Sequence, residues 1–247
     1  MNIVERKNLL MDLLEKRDFM MVDEIAELTQ VSKATIRRDL QELEEKGIVK
    51  RFRGGVSLKD KVLREESVPL HEMMAVNTDN KIKIARKAAE LIEDGDVIFL
   101  DSGSTTYQMI PFIHAEDVHV VTNGVKHAAQ LSDMRIPTYI LGGSIALDGM
   151  LTLGEEITAV VEKMNFDKAF LGARGVDQQA GYTTTNENDS AMKAAAVRRA
   201  VKSYVLADSG KIGKRKFFTF ASMKEAVCIT NDCEKAGLLE GEVLLAD

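Results

Sequence analysis

Apolar residues recur every three or four positions over residues 2–16, where Val4, Leu10, Leu13 and Leu14 share one face. A second helical pattern covers 22–29, with Ile25 and Leu28 inward. Gln30-Val31 reads as a short turn, and Ser32 is placed to N-cap a third helix over 33–46. Ile36, Leu40 and Leu43 form its buried side, and Gly47 is a natural stop. Two strand-like pieces follow, 48–52 and 56–58, joined by Arg53-Gly54-Gly55 in a hairpin signal. Residues 59–76 are charged and weakly periodic, contain Pro69, and read as a linker. After Asn77 the pattern changes. An amphipathic helix over 79–93, with Ile82, Ala85, Ala89 and Ile92 inward, leads into the apolar run Val97–Leu100. Further apolar runs lie at 118–121, 138–141, 169–171, 204–207 and 226–230, with helical stretches at 125–131, 155–164 and 188–202 between them. Short apolar strands separated by helices predict a mainly parallel α/β sheet. The expected organisation is a winged helix-turn-helix over 1–58, a linker over 59–76 and an α/β domain over 77–247.

A length of 247 residues is comfortable for two domains, and 45% hydrophobic with 29% charged residues describes an ordinary globular chain. No run of eighteen apolar residues is present, so no membrane span is expected. Glu5, Asp12 and Glu15 interrupt the first apolar stretch, which is unlike a signal peptide. Cys228 and Cys233 have no second pair and no nearby histidine, so they read as buried or free thiols of a cytoplasmic protein, with no metal site.

The net charge of −6 argues against nucleic acid only until it is localised. Between Lys33 and Arg53, seven basic residues face four acidic ones, a local balance of +3, and 50–53 holds no acid. Helix, helix, turn, helix and hairpin make a winged helix-turn-helix, whose third helix enters the major groove of double-stranded DNA. Ser32, Lys33, Thr35, Arg37 and Arg38 are the polar residues at its start, and arginine can pair bidentately with guanine. Lys50, Arg51 and Arg53 on the hairpin suit the DNA backbone or minor groove.

In the second half, polar and glycine-rich loops follow the apolar strands. They are Asp101-Ser102-Gly103-Ser104-Thr105-Thr106, Thr122-Asn123-Gly124, Gly142-Gly143-Ser144, Gly172-Ala173-Arg174-Gly175 and Asp208-Ser209-Gly210-Lys211. Ligands of open α/β sheets bind at the carboxyl ends of strands, and small residues let backbone amides approach an anion. Lys193 and Lys211 add positive charge; Asp101 and Asp208 suit sugar hydroxyls. The set fits a phosphorylated sugar or polyol. Neither nucleotide fingerprint occurs, no G-x-x-x-x-G-K-[ST] and no G-x-G-x-x-G after a strand, so no cofactor is expected.

Arg6, Leu10 and Leu14, then Ser32, then Thr35-Ile36-Arg37-Arg38-Asp39-Leu40 resemble the DNA-binding domain of DeoR-type bacterial repressors, and Gly54-Gly55 resembles that family's wing. The second half resembles the DeoR-type sensor domain, similar in fold to ribose-5-phosphate isomerase and the CoA transferases. The matching motifs are 101–106, Thr122-Asn123, Gly142-Gly143, Gly181-Tyr182-Thr183-Thr184 and 208–213. Asp189-Ser190-Ala191-Met192-Lys193 departs from the family's Glu-Ala-x-x-Lys, and Arg174 stands where an uncharged or acidic residue is commoner. The resemblance implies a repressor of a carbohydrate operon, released from its operator by a sugar phosphate and assembled as a dimer or tetramer. It implies effector contacts at 101–106, Asn123, Gly142, Gly143, Arg174, Lys193, Asp208 and Lys211. The alternative is a sugar-phosphate isomerase or deaminase with an accessory DNA-binding domain, which would need a proton-transferring base such as Asp101 or Asp208. The four histidines, His71, His114, His119 and His127, form no triad or metal spacing and read as surface or packing residues.

Overall fold

The computed structural model describes residues 3–17, 19–52, 54–59, 73, 75–145 and 151–246. Arg53 and most of the expected linker lie outside the described residues. The chain divides into two compact units, Met1–Ser67 and Val68–Asp247.

The first unit holds helices α1 (Ile3–Lys16), α2 (Val22–Thr29) and α3 (Lys33–Glu45), and strands β1 (Met20–Met21), β2 (Val49–Phe52) and β3 (Gly55–Leu58). The strands form an antiparallel sheet in the order β1-β3-β2, with Met20 opposite Val56 and Arg51 opposite Val56 on the other side. Its core is Leu10, Leu14, Met20, Val22, Ile25, Ile36, Leu40, Leu43, Val49 and Val56. Ser32 caps α3, its Oγ accepting from the Thr35 amide at 3.2 Å. The helix closes at Gly47, whose φ of +70° suits a residue without Cβ, and the Ile48 amide bonds back to the Leu43 carbonyl at 2.9 Å. Leu28 departs from expectation: it is 53% exposed, and Thr29 is buried instead. One helical residue turns through about 100°, so on this short helix the stripe Val22, Ile25, Thr29 leaves Leu28 outside. Strand β1 was hidden from periodicity because two residues are too few to show it. Gly55 is required by close approach: a Cβ there would sit 2.0 Å from the Phe19 ring and 2.8 Å from the Met20 carbonyl.

The second unit is built on seven parallel strands in the order β15-β14-β12-β9-β4-β5-β6. They are β4 (Val97–Leu100), β5 (His119–Thr122), β6 (Thr138–Ile140), β9 (Phe166–Gly172), β12 (Ala200–Leu206), β14 (Val227–Thr230) and β15 (Val243–Leu245). One face is covered by α4 (Thr78–Ala89), α5 (Ser104–Met109) and α6 (Val125–Asp133), with Ile84, Ala85, Met109 and Leu131 against Ile98, Val120 and Phe170. The other is covered by α7 (Glu155–Val161) and α8 (Glu187–Arg199), with Ile157, Met192 and Ala195 against Phe99, Val121 and Leu171. Burial on both faces explains why these strands read as apolar runs rather than alternations.

Two local readings are corrected. On α4 the buried stripe is Lys81, Ile84, Ala85 and Ala88, while Ile82 is only half-buried. The helix after β4 begins at Ser104, so the hydroxyl run 104–106 lies inside it and not in the loop before it. Sequence periodicity also passed over a small antiparallel sheet of β10 (Gly175–Asp177), β11 (Gly181–Thr184) and β13 (Phe218–Ala221), and a hairpin of β7 (Ser144–Ile145) and β8 (Thr152–Leu153). All four residues of β11 are buried, which erases alternation. No described helix is long and apolar enough to cross a membrane.

Candidate functional site

On the first unit, α3 is fixed by α1. Arg6 holds Asp39 through two parallel bonds, Nε to Oδ2 and Nη2 to Oδ1, the latter at 3.0 Å, and Asp39 is buried. The Asp39 hydrogen bond keeps the Arg6 guanidinium above its ordinary pKa. Lys7 pairs with Glu42 one turn further along, and Lys7 in turn holds the Glu42 carboxyl below its usual range. Asp39 is thus spent on orienting the helix. Arg37 and Arg38 are exposed, and among the described residues neither forms an ion pair. Lys33 pairs with Asp23 at 2.7 Å and Arg51 with Glu44 at 3.7 Å. Lys50 is exposed and lies 5.3 Å from the Phe52 ring centre. Ser32 and Thr35 bond to each other, Oγ to Oγ1, at 2.9 Å.

On the second unit the chain order of the strands reverses between β4 and β9. Helices following strands on the two sides of such a point depart to opposite faces, which leaves a crevice at the strand ends. The loops after these two strands meet there. Asp101 follows β4, and its Oδ2 accepts from the Gly172 amide at 2.9 Å and lies 3.3 Å from Lys193 Nζ. Lys193, from α8, also reaches Asp189 at 2.9 Å and donates to the Gly172 carbonyl at 3.0 Å. Burial raises the Asp101 carboxyl above its usual range despite Lys193. Burial acts to lower Lys193, but Asp101 and Asp189 outweigh it and hold the ammonium above its ordinary value. Asp101 Oδ1 is buried and has no hydrogen-bond partner.

The loop 101–106 is braced from behind. The Ser102 amide donates to Asn123 Oδ1 at 3.1 Å, and Thr106 Oγ1 donates to the Asp101 and Gly103 carbonyls. His127 Nε2 donates to the Gly103 carbonyl at 3.1 Å, and burial lowers this imidazole to about 4, so it is neutral at physiological pH. It serves packing, edge-on to Tyr107. Ser102, Ser104 and Thr105 are buried in the same loop and helix start.

The loop after β12 brings a second group. Asp208 Oδ1 accepts from Asn77 Nδ2 at 3.1 Å and from the Gly210 amide at 2.9 Å. Lys211 is lowered from its ordinary pKa by burial, against the pull of Asp208, with Arg174, Lys214 and Lys216 pushing the same way as burial. Lys81 is lowered likewise by burial, against Asp208, with Lys211 and Arg174 adding repulsion. Among the described residues Arg174 and Lys211 form no ion pair. Lys81 Nζ donates to the Met73 carbonyl. Cations gathered in this way, partly desolvated and mutually repelling, have the chemistry to accept a multiply charged anion.

Of the residues named from sequence, the structure brings together 101–106, Asn123, Lys193 and Gly172's neighbour Arg174 around the β4–β9 crevice, with Asp208 and Lys211 beside it. Gly142 and Gly143 follow Leu141, whose carbonyl shares the Thr152 hydroxyl with the Asn123 carbonyl. Both glycines are exposed on the loop after β6, an edge strand two places from β4. Arg53 lies outside the described residues. Sequence reasoning missed Asn77 and Lys81, and it named Asp189 only within the motif that precedes Lys193. Lys81 had a signal: it precedes Ile84, Ala85 and Ala88 by three, four and seven residues, on the apolar stripe. Among the described residues no group of three or more His, Cys, Asp or Glu side chains is placed to hold a metal. Cys228 and Cys233 are free, and burial pushes the Cys228 thiol up to about 12.

Residues 6–62 match the DeoR-like helix-turn-helix domain, and residues 76–233 match the DeoR C terminal sensor domain. The chain is 40% identical over 232 residues to an HTH-type transcriptional regulator, FruR, of Bacillus subtilis, covering 94% of this chain and 92% of that protein. It is 33% identical over 233 residues to the lactose phosphotransferase system repressor of Streptococcus mutans, covering 93% and 92%. Among solved structures it is similar to ribose 5-phosphate isomerase A from Methanocaldococcus jannaschii, at 22% identity and a TM-score of 0.41 over 55% of this chain and 54% of that one.

Proposed function

The chain belongs to the DeoR family of transcriptional regulators, and from that premise we propose that it represses a carbohydrate-utilisation operon and leaves its operator when a phosphorylated sugar or polyol binds. The supporting observation is the pairing of two unlike surfaces in one chain: exposed Arg37 and Arg38 on α3, and Arg174 and Lys211, which form no ion pair among the described residues, near Asp208. In this reading 1–58 binds double-stranded DNA, 59–76 connects, and 77–247 senses. Lys211 and Arg174 take the phosphate. Asp101 Oδ1, which is buried without a partner, and Asp208 accept from sugar hydroxyls. The protein acts in the cytoplasm as a dimer or tetramer that presents two winged helices at the spacing of a two-fold operator. The effector shifts an equilibrium between arrangements only as far as its affinity for the two differs.

A thermal-shift screen of phosphorylated sugars and polyols tests this, because a ligand of the native state raises the melting temperature. At least one compound is expected both to raise it and to release operator DNA. Release by none of them would end the repressor reading, and conversion of a hit into product would favour an isomerase in its place. Arg37→Ala is expected to weaken operator binding by about 1–3 kcal/mol and to relax the preference at one base pair. Gel shifts with matched and mutated operators measure both; equal binding by the variant would remove Arg37 from base recognition.

A further inference from the structure

The seven-stranded sheet of the second unit ends at β6, and among the described residues no strand pairs with the outer side of β6. The bonds to β5 set the phase of this edge. The Val120 amide donates to the Pro137 carbonyl and the Leu141 amide to the Thr122 carbonyl, both at 2.9 Å. Alternate residues of a strand turn their main-chain groups the same way, so Tyr139 faces β5 together with Pro137 and Leu141. Thr138 and Ile140 therefore present their N–H and C=O groups outward. Side chains are uncovered on both faces of this strand: Tyr139 is 54% exposed on one and Ile140 44% exposed on the other. Ile145, in the hairpin that follows, is exposed as well. Proteins ordinarily guard such an edge with a charge or a proline. Between Arg135 and Asp148 the sequence has no charged residue. Pro137 is no guard, because the N–H it lacks falls on the β5 side.

We propose that β6 is a self-association edge: it pairs antiparallel with β6 of a second copy of this chain, about a two-fold axis at Tyr139, and continues the sheet from one protomer into the other. The proposal rests on the oligomer in the reading above and names its surface. Such an axis sets Thr138 opposite the partner's Ile140 and Ile140 opposite the partner's Thr138. These are the outward-facing residues, so each pair exchanges both of its main-chain hydrogen bonds. Tyr139 meets its own copy at the closer, non-bonded spacing of about 4.5 Å between Cα atoms, where aromatic cross-strand pairs add stability. Arg135 falls opposite an uncharged residue, the partner's Gly143. Charge selects this occupant over the others. The sheet's second free edge, β15, has Glu240 and Glu242 before it and Asp247 after it, so two copies of that edge would set acid near acid. Pairing of β6 with β15 of another copy is head-to-tail and builds rings or open filaments rather than a dimer. Only β6 on β6 closes as a pair without bringing like charges together. Continuous sheets of more than ten strands do occur in large α/β proteins.

Sedimentation equilibrium of the full-length protein, without DNA, tests this. The wild type is expected as a dimer or a pair of dimers. Tyr139→Lys and Tyr139→Glu each set a charge against its own copy across the axis, and each is expected to raise the dissociation constant by about 10–100-fold. An equal mixture of the two variants is expected to reassemble, because opposite charges then meet at position 139. Ile140→Pro removes a donor from the outer edge and none from the bonds to β5, and is expected to dissociate the protein likewise. Should that variant fail to fold, the two charge variants carry the test, since Tyr139 is exposed and its replacement leaves the core intact. Leu245→Lys, on β15, is expected to leave the assembly unchanged. A monomeric wild type overturns the interface, as do Tyr139 variants that keep the wild-type mass. Dissociation that the mixture does not reverse overturns the pairing at Tyr139, and dissociation by Leu245→Lys alone does the same. The repressor reading is judged apart from all of these, by operator release in the wild type.

Discussion

Lys193→Met is expected to lower the stability of the protein by about 3–5 kcal/mol at neutral pH, the usual cost of removing one partner from a buried ion pair. Asp101 is 2% exposed and Lys193 6% exposed, so neither charge can turn to water. With the ammonium gone, Asp101 keeps the Gly172 amide as a donor, and burial is opposed by that bond alone while Asp189 adds repulsion. The carboxyl escapes by holding its proton. The folded pKa of Asp101 then rises still further above the unfolded value of about 4. A raised acid is favoured by low pH: above the unfolded pKa the unfolded chain gives up a proton that the folded one retains. Stability of the variant therefore falls as pH rises from about 4, by about 1.4 kcal/mol for each unit, until the folded group ionises. Urea melts of both proteins at pH 4.5 and pH 8 read this directly. The deficit is expected to be smaller at the lower pH. The double variant Asp101→Asn with Lys193→Met is expected to recover more than half of the loss, because no unpaired carboxylate remains at position 101. A deficit independent of pH would mean that Lys193 stabilises by packing alone, over the Phe220 ring 5.5 Å away.

Lys211→Met is expected to raise the effector concentration needed for half-release from the operator by roughly 10–100-fold, with operator affinity in the absence of effector retained. The magnitude follows from one hydrogen bond to a charged group, about 1.5–3 kcal/mol. Lys211 is the side chain best placed for that bond. It is partly buried, carries no ion pair among the described residues, and feels repulsion from Arg174, Lys214 and Lys216 against the attraction of Asp208. An ammonium kept in such company is destabilised until an anion arrives. Methionine keeps the apolar stem and removes only the charge, so folding should survive. Calorimetric titration with a hit from the screen, beside fluorescence anisotropy on operator DNA, separates the two affinities. Lys211→Arg is expected to recover part of the loss. Unchanged half-release in Lys211→Met would place the phosphate elsewhere.

The division into a basic winged helix and a parallel α/β domain was legible because both rest on periodicities that single residues cannot hide. The α3 stripe of Ile36, Leu40 and Leu43 and the runs at β4, β9 and β14 follow them closely. What escaped has physical causes. The sheet of β10, β11 and β13 is short and its central strand β11 is buried at every position, so its glycine and threonines show no alternation. The crevice depends on which strand lies beside which, and the neighbourhood of β4 and β9 joins residues some seventy positions apart, as the Asp101 to Gly172 bond shows. Arg174, Lys193 and Lys211 were visible as residue types in loops, or after them. Lys81 was not, because a charge on the inward stripe of a helix was read past in favour of Ile82. That the family's arginine in α1 answers the aspartate in α3 became plain only with the Arg6 to Asp39 bonds.

The ion pairs on the DNA-facing unit have a consequence for how firmly it holds at different ionic strengths. A cation that meets a phosphate normally frees a small ion from its surroundings, and that gain shrinks as salt rises. Lys33 and Arg51 do not arrive with mobile counterions alone; Asp23 and Glu44 already neutralise them from within the fold. Docking would trade a tethered carboxylate for a phosphate at these two positions, with less entropy of released ions to lose. Such a grip on the double helix would be weaker in dilute buffer than the count of basic residues implies, and would fade less as salt rises.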